Sequence, residues 1–420
     1  MSKKGKKQIK QIDNNKSKKQ LKQKDVKKKK GKKSTKNKVT KIIIFLILLI
    51  VCLLGIIIGI VVNKLSKLET VEIDKDDLLI NTEVKEADFG DGYLNVALFG
   101  GDSRSGELEE GTRTDSIIVA SLNNKTKEVK LVSVYRDTLL NLSNGSYQKC
   151  NAAYSIGGPL QAINMLNTNL DLDIEKYVTV DFSIVTEIID ILGGVEIEID
   201  ESEIEGINEY IPETARVAGK EAVLITEPGI QLLDGVQATT YARIRSTKGG
   251  DFKRTDRQRY LIEKIVDKLK RSNLFVINNI IDIVLPRIST NFTANEIAYY
   301  ATAYLDFKLG KTTGFPEIVS TANIPGKGSV VIPRTLESNV TTLHDFLYGN
   351  ENYLPSENVK QNSQTIINMT QRYINGSANS NDTYETHSEN SVTNDLQDKD
   401  VTDVVIDKED NYKNPVIIIN

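Results

Sequence analysis

The chain of 420 residues carries 54 basic and 57 acidic side chains but only two histidines and two cysteines. This inventory argues against a His-based catalytic triad, a His/Cys metal site and a fold stapled by disulfides. The sequence has no G-x-x-x-x-G-K-S/T stretch, so nucleotide hydrolysis of the P-loop kind is also disfavoured.

The first 62 residues predict a membrane anchor. Residues 1–41 hold 19 lysines, two acids and almost no large apolar side chains, which is typical of a disordered tail. Residues 42–62 are uncharged and long enough to cross the cell membrane as one transmembrane helix. Because dense lysine precedes this single span, we expect a cytoplasmic N-terminus, and an extracellular remainder that begins with a stalk at 63–90.

The part of the chain beyond the tail is strongly acidic, with 35 basic and 55 acidic residues and a net charge of about −20. Such a body is a poor general binder of nucleic acid, and the lysine tail carries no recognisable DNA-binding module. We therefore expect no nucleic-acid partner.

Three apolar runs at 93–99, 116–122 and 129–134 predict the first strands of an α/β body. A polar motif adjoins each run: GGDSR follows the first, RTD precedes the second, and YRD follows the third. If the strands are neighbours, these motifs meet at one edge of the sheet, where α/β folds bind ligands.

The remaining elements follow from periodicity and from glycine punctuation. Helices are predicted at 158–170, 182–192, 234–245, 254–270, through most of 273–308, and at 336–347. Strands are predicted at 177–182, 195–199 and 330–333, an acidic loop at 200–230, and a disordered polar tail at 375–420. The apolar stretch 273–308 suits either core packing or the lining of a site for a long apolar ligand.

Arginine placement indicates the chemistry. The chain has 13 Arg against 41 Lys, yet eight arginines fall in short Asp-rich stretches: Arg104, Arg113, Arg136, Arg243, Arg245, Arg254, Arg257 and Arg259. Arginine grips phosphate bidentately, and the neighbouring carboxylates (Asp102, Asp115, Asp137, Asp251 and Asp256) are hard oxygen ligands. This pattern favours a phosphate or pyrophosphate held with a divalent cation over surface salt bridging.

Seven motifs occur in an order that resembles the LytR-CpsA-Psr family of Gram-positive cell-envelope proteins. They are LFGGDSR, RTDSIIVASL, VKLVSVYRD, NAAYSIGG, ILGGVEIEI, LLDGVQATTYARIR and DFKRTDRQR. Two positions depart from the family pattern, Gly101 where serine is usual and Tyr135 where proline is usual. Without proline, we expect the backbone at position 135 to be less constrained.

The resemblance implies a catalytic domain at 91–374, folded as an α/β/α sandwich with a central mixed sheet flanked by helices and a hydrophobic tunnel for lipid. It implies a phosphotransferase that moves an anionic glycopolymer, such as teichoic acid or capsule polysaccharide, from an undecaprenyl-pyrophosphate carrier to peptidoglycan with Mg²⁺ (or Mn²⁺). The implied metal ligands are Asp102 and Asp115, which act in catalysis with Arg113 and Arg136. Pyrophosphate contacts are assigned to Arg243, Arg245, Arg254, Arg257 and Gln258, with Asp251 and Arg104 behind them to orient the arginines.

Two other functions remain open on these residues. A non-catalytic protein that binds wall polymer or polyprenyl phosphate would keep the arginines, although both metal carboxylates favour an enzyme. A hydrolase of the same pyrophosphate needs the same residues, since only the acceptor differs.

Overall fold

The computed structural model describes residues 70–87, 92–101, 114–245 and 249–376. The predicted tails and membrane span, together with Asp102, Arg104 and Arg113, lie outside these residues. Within the described ranges, no helix is both long enough and apolar enough to cross a membrane.

The described residues form twelve strands and ten α-helices, numbered here along the chain. The strands are Tyr93–Gly101 (β1), Thr114–Asn123 (β2), Glu128–Val134 (β3), Leu139–Asn141 (β4), Tyr147–Lys149 (β5), Lys176–Asp181 (β6), Val195–Ile199 (β7), Gly229–Leu233 (β8), Ser289–Thr290 (β9), Lys308–Phe315 (β10), Val319–Ile324 (β11) and Gly328–Pro333 (β12). The helices are Thr82–Ala87 (α1), Ala152–Leu170 (α2), Phe182–Ile191 (α3), Glu201–Ala218 (α4), Gly235–Tyr241 (α5), Gly250–Arg271 (α6), Leu274–Val284 (α7), Ala294–Ala303 (α8), Leu336–Tyr348 (α9) and Glu357–Gly376 (α10).

Six strands form a central mixed sheet in the order β10-β3-β2-β1-β6-β9. Strand β1 pairs parallel with β6 and antiparallel with β2, and β3 pairs antiparallel with β2 and parallel with β10. The carboxyl ends of β1, β3, β6 and β10 and the amino end of β2 therefore lie on one edge. The predicted mixed α/β fold, with helices flanking the sheet, is confirmed.

Two apolar cores hold the fold together. The larger one joins the sheet to α2, α9 and α10, and it includes the fully buried Ile163 and Leu166 of α2. The smaller one packs β7 against α4 and α5, because alternate residues of β7, Val195, Ile197 and Ile199, face inward. Each such buried aliphatic side chain contributes about 1.5–3 kcal/mol relative to exposure.

The predicted loop at 200–230 is wrong over most of its length, because residues 201–218 form α4. A capping box begins this helix: Asp200 N–H donates to Glu203 Oε2 at 3.1 Å, and the Asp200 side chain accepts from the Glu203 backbone. Ile207 and Ile211 then form a buried stripe. The acidic composition obscured this periodicity.

The helix predicted at 254–270 begins four residues earlier, at Gly250. Gly249 precedes it with φ +99°, a left-handed conformation that glycine adopts at little cost. Asp251 consequently lies in the first helical turn, where a carboxylate interacts favourably with the helix dipole. Asp251, which the sequence prediction left outside the helix, thereby belongs to a rigid element.

Residues 70–87, assigned from sequence to the stalk, pack on the body. Leu78 and Val84 are buried, and the Asn81 amide donates to Asp171 Oδ1 at 2.5 Å and to Ser356 Oγ at 3.1 Å. The chain thus joins the folded body well before residue 90.

The apolar stretch 273–308 is helical in α7 and α8, as predicted, but it is not a packed core. Of the eleven residues of α7, only Ile280 is buried, although eight are apolar. This helix packs on α3 and leaves much of its apolar surface partly exposed.

Candidate functional site

The described parts of the three polar motifs lie at the carboxyl edge of the central sheet, as the strand pattern predicted. Gly101 at the end of β1 pairs with Thr114 at the start of β2, and these two residues flank the stretch 102–113. Asp115 is the second residue of β2, and Arg136 follows the end of β3 by two residues. Strands β1 and β2 approach closely here: a Cβ atom added at Gly100 would lie only 3.0 Å from the Cβ atom of Ser116.

Helix α6 brings the second half of the site to the same edge. It packs against β3 and β10, and its first two turns carry Asp251 and Arg254. Arg254 donates from one Nη to Asp251 Oδ2 and to the backbone carbonyl of Asp115, each at 3.2 Å. The helix and the start of β2 are therefore joined directly.

Three arginines converge on two carboxylates at this edge, and we call these five residues the arginine cluster: Arg136, Arg245, Arg254, Asp115 and Asp251. Arg136 hydrogen-bonds to Asp115 Oδ1 through Nη1, and its Nε lies 3.5 Å from Asp251 Oδ1. Arg245 lies 3.6 Å from Asp251 Oδ1 through Nε and 3.9 Å from Asp115 Oδ2 through Nη2.

The cluster has a positive excess and unused donors. The three guanidinium groups face Asp115 and Asp251; a third carboxylate, Asp137, lies 4.0 Å from Arg136 Nε but pairs more closely with Lys149, at 3.0 Å. The buried Nε atoms of Arg136 and Arg254 form no hydrogen bond within the described part of the chain. Burial lowers the pKa of Arg254 to about 10, an effect opposed by Asp251 and increased by Arg136 and Arg245. Arg254 therefore stays charged at neutral pH, and the site suits an anion with several oxygens.

Arg243 lies apart from this cluster. Helix α5 ends at Tyr241, four residues before the end predicted from sequence at 245, so Arg243 and Arg245 both lie beyond the helix. The guanidinium of Arg243 lies over the Phe182 ring at 5.7 Å, and its Nη1 lies 3.5 Å from Thr214 Oγ1. Since Phe182 follows the end of β6, Arg243 borders the same sheet edge from the other side of β1.

Arg257 is not brought to the cluster, although it was predicted to contact pyrophosphate. Its side chain is 1% exposed and forms two hydrogen bonds to Glu203 Oε1, from Nε at 3.0 Å and from Nη2 at 2.7 Å. Its Nη1 donates to the Ile244 carbonyl at 3.3 Å. In this structure Arg257 braces the segment that carries Arg243 and Arg245. Gln258, one residue further on, is buried.

Tyr135 is held more firmly than its sequence suggested. Its N–H donates to the Phe315 carbonyl at 2.9 Å, and its side chain is 2% exposed against the Phe252 ring. Tertiary packing therefore constrains the backbone where proline was expected.

Sequence reasoning also missed Phe182 and Glu203 as supports for the arginines. Glu203 had a usable signal, because Asp200-x-x-Glu203 has the spacing of a capping box. Phe182 had no such signal, because its contact with Arg243 depends on long-range packing.

A metal site is supported only in part by the described residues. They contain no group of three or more His, Cys, Asp or Glu side chains able to hold a metal ion. Asp115 nevertheless presents carboxylate oxygens beside the arginines, at the start of β2. Its partner carboxylate in the sequence prediction, Asp102, lies outside the described ranges.

The profile of the LytR_cpsA_psr family matches residues 61–342, which is most of the chain and all of the arginine cluster. The chain belongs to this family. It is 34% identical over 189 residues to the polyisoprenyl-teichoic acid–peptidoglycan teichoic acid transferase TagV of Bacillus subtilis, covering 44% of this chain and 46% of TagV. It is 30% identical over 240 residues to TagU of Enterococcus faecalis, a transferase of the same name, covering 56% of this chain and 71% of TagU.

A solved structure has a similar fold. A Streptococcus agalactiae protein matches with a TM-score of 0.54 at 22% identity, covering 66% of this chain and 92% of that protein. The chain spans about half the length of several curated relatives that it matches, TagV among them.

Proposed function

We propose that this LytR_cpsA_psr protein transfers an anionic glycopolymer, of the teichoic acid type, from a polyprenyl-pyrophosphate carrier to peptidoglycan. The observation that carries the proposal is the convergence of Arg136, Arg245 and Arg254 on Asp115 and Asp251 at the carboxyl edge of the sheet. The names of TagV and TagU describe this reaction for those relatives.

The chemistry needs little from the protein beyond positioning and charge neutralisation. A hydroxyl oxygen of the peptidoglycan acceptor attacks the phosphorus that carries the glycopolymer, and a new P–O bond forms. The bond from that phosphorus to the bridging oxygen breaks, polyprenyl phosphate leaves, and the hydroxyl proton passes to solvent or to a base. Arg136 and Arg254 stabilise the charge that develops on the departing phosphate.

Asp115 and Asp102 are the residues we propose to hold Mg²⁺ or Mn²⁺. Two carboxylates suit Mg²⁺, which proteins bind through one or two carboxylates completed by phosphate and water. When bound, the cation would neutralise charge on the pyrophosphate oxygens. Removal of divalent ions with EDTA should abolish transfer, and added Mg²⁺ should restore it. Full activity in EDTA would refute the metal assignment.

We propose that the carrier lipid lies along α7. Partly exposed apolar residues of α7, together with α3 beneath them, suit a long polyprenyl chain better than a sealed core would.

We propose that residues 42–62 anchor the protein in the cell membrane, with residues 1–41 in the cytoplasm and the arginine cluster on the extracellular side.

A transfer assay with paired variants on one helix tests the function. Purified protein is given polyprenyl-pyrophosphate-linked polymer and peptidoglycan, and polymer attached to the wall is measured. Arg254→Ala should lower the rate by about 100-fold or more, since it removes a charge-stabilising donor. Arg271→Ala, at the exposed far end of the same helix, is the matched control.

Three outcomes of that assay are distinct. Loss of transfer in Arg254→Ala alone supports the proposal. Release of polymer without attachment to peptidoglycan would point to a hydrolase and contradict it. Lipid binding without any turnover would point to a binding protein and also contradict it.

A further inference from the structure

A small apolar cluster adjoins the arginine cluster. It consists of Tyr135, Val319 and Val331, with Phe252 packed against them. Tyr135 immediately precedes Arg136, and Phe252 immediately follows Asp251. The cluster therefore joins the two chain segments whose charged residues meet at the site.

Both main-chain groups of Tyr135 are engaged. Its N–H donates to the Phe315 carbonyl at the end of β10, and its carbonyl accepts from Thr138 N–H at 2.9 Å and from Cys150 Sγ at 3.2 Å. These contacts fix the backbone from which the Arg136 side chain extends.

The ring of Tyr135 lies between β10 and helix α6. A Cβ added at Gly314 would lie 2.1 Å from the Tyr135 hydroxyl oxygen, so the ring occupies space that only glycine leaves open. On the other side, the Tyr135 and Phe252 rings meet edge to face, with centroids 4.5 Å apart and planes at 83°. This is a favourable geometry for an aromatic pair.

The ring pair bears on the ion pair next to it. The Nε atom of Arg136 lies 3.5 Å from Asp251 Oδ1, and Arg254 lies one helical turn beyond Asp251. If the first turn of α6 moved outward, Asp251 and Arg254 would leave Arg136 together. The Tyr135–Phe252 contact is an apolar link beside this junction, because each ring is on the residue next to one of the paired charges.

We propose that Tyr135 is a positioning residue: through Phe252 it holds the first turn of α6 against β3 and β10, so that Asp251 and Arg254 stay aligned with Arg136. The inference rests on the proposed transfer reaction. It assigns to Tyr135 and Phe252 a role in that reaction although neither contacts the substrate. Because misplacement of about 1 Å can cost on the order of 100-fold in rate, a packing change here should affect turnover.

Four variants test the proposal. Tyr135→Leu and Phe252→Leu remove one ring each, Tyr135→Phe keeps the ring, and Tyr93→Leu is the matched control. Tyr93 forms an edge-to-face pair with Tyr348 (5.0 Å, 79°) at the opposite end of β1. Each variant is assayed for kcat and KM at a temperature where thermal unfolding shows it to be folded.

We expect Tyr135→Leu and Phe252→Leu each to lower kcat by about 10- to 100-fold. The kcat of the double variant should be no lower than that of the less active single variant, because both changes break the same contact. Tyr135→Phe should retain activity within about threefold, and Tyr93→Leu should match wild type. Multiplicative loss in the double variant, or an equal loss in Tyr93→Leu, would overturn the proposal. Phe252→Leu alters a half-buried side chain and keeps the test usable if Tyr135→Leu does not fold.

A second measurement separates this inference from the proposed reaction. Backbone amide exchange at residues 250–258 should quicken in Tyr135→Leu and stay unchanged in Tyr93→Leu. If the wild-type protein shows no transfer, the proposed function is wrong, but the exchange measurement still tests the positioning role of Tyr135. Unchanged exchange at α6 in Tyr135→Leu would end the positioning proposal whatever the activity.

Discussion

Arg136 makes contacts that a lysine cannot replace. One guanidinium faces Asp115 through Nη1 and Asp251 through Nε, so a single side chain joins β2 to α6. A lysine ammonium is a point charge on a flexible stem and cannot hold two carboxylates in fixed positions. The choice of arginine in a lysine-rich chain therefore has a geometric reason at this position.

We expect Arg136→Lys to keep the charge yet lose most of the activity, by about 100-fold in kcat/KM, because the planar fork is lost. Polymer transfer measured against Arg136→Ala checks this expectation. Arg334→Lys, at an exposed position, serves as control. Near-normal activity in Arg136→Lys would mean that charge alone suffices.

Arg257 and Glu203 form a buried ion pair. Removing one partner should lower the stability of the folded protein rather than act directly on the transfer reaction. Arg257→Met alone should destabilise the protein by about 3–5 kcal/mol, since it leaves an uncompensated buried carboxylate. Arg257→Met combined with Glu203→Leu should recover most of this stability in urea unfolding. A double variant that is stable but no longer binds pyrophosphate would support the original sequence assignment of Arg257 to the substrate.

At the scale of elements, sequence predicted what depends on local pattern and missed what depends on packing. Strands β1, β2 and β3 and their shared edge followed from apolar runs beside polar motifs. Helix α10 and strand β10 could not be predicted in this way, because polar residues fill most of their length and leave no clear apolar pattern. The separation of Arg257 from Arg254 was also hidden, since residues three positions apart on one helix can contact different elements: Arg254 bonds to the start of β2 and Arg257 to Glu203 of α4.

Helix α5 shows how one glycine sets the approach of two elements. A Cβ at Gly235 would lie 2.0 Å from the Thr186 carbonyl oxygen of α3, and the Gly235 N–H donates to Asp190 Oδ1 at 2.6 Å. Gly235→Ala should therefore push α5 outward and cost about 1–3 kcal/mol in the free energy of unfolding. Because Arg243 follows this helix, lipid binding should weaken as well; unchanged stability would show that α5 tolerates the shift.

At the scale of the whole molecule, one buried histidine couples global stability to pH. His344 on α9 is 1% exposed, stacks on the Tyr353 ring at 3.6 Å, and donates from Nε2 to the Leu170 carbonyl at 3.1 Å. Burial lowers its pKa to about 4, against the opposing effect of the Leu170 carbonyl and Asp171. The folded protein thus holds this imidazole neutral in the core between α2 and α9.

The sign of the pH effect follows from proton uptake. The unfolded chain protonates this histidine near pH 6.5 and the folded protein only near pH 4, so the unfolded state binds more protons between these values. The stabilising contribution is complete above about pH 6.5 and falls by about 3 kcal/mol as the pH drops to 4. Urea unfolding of wild type and His344→Gln at pH 7, 5 and 4 isolates this contribution, because acid-sensitive carboxylates are common to both proteins. The stability difference between the two should shrink steadily in acid; a difference independent of pH would mean that His344 titrates alike in both states.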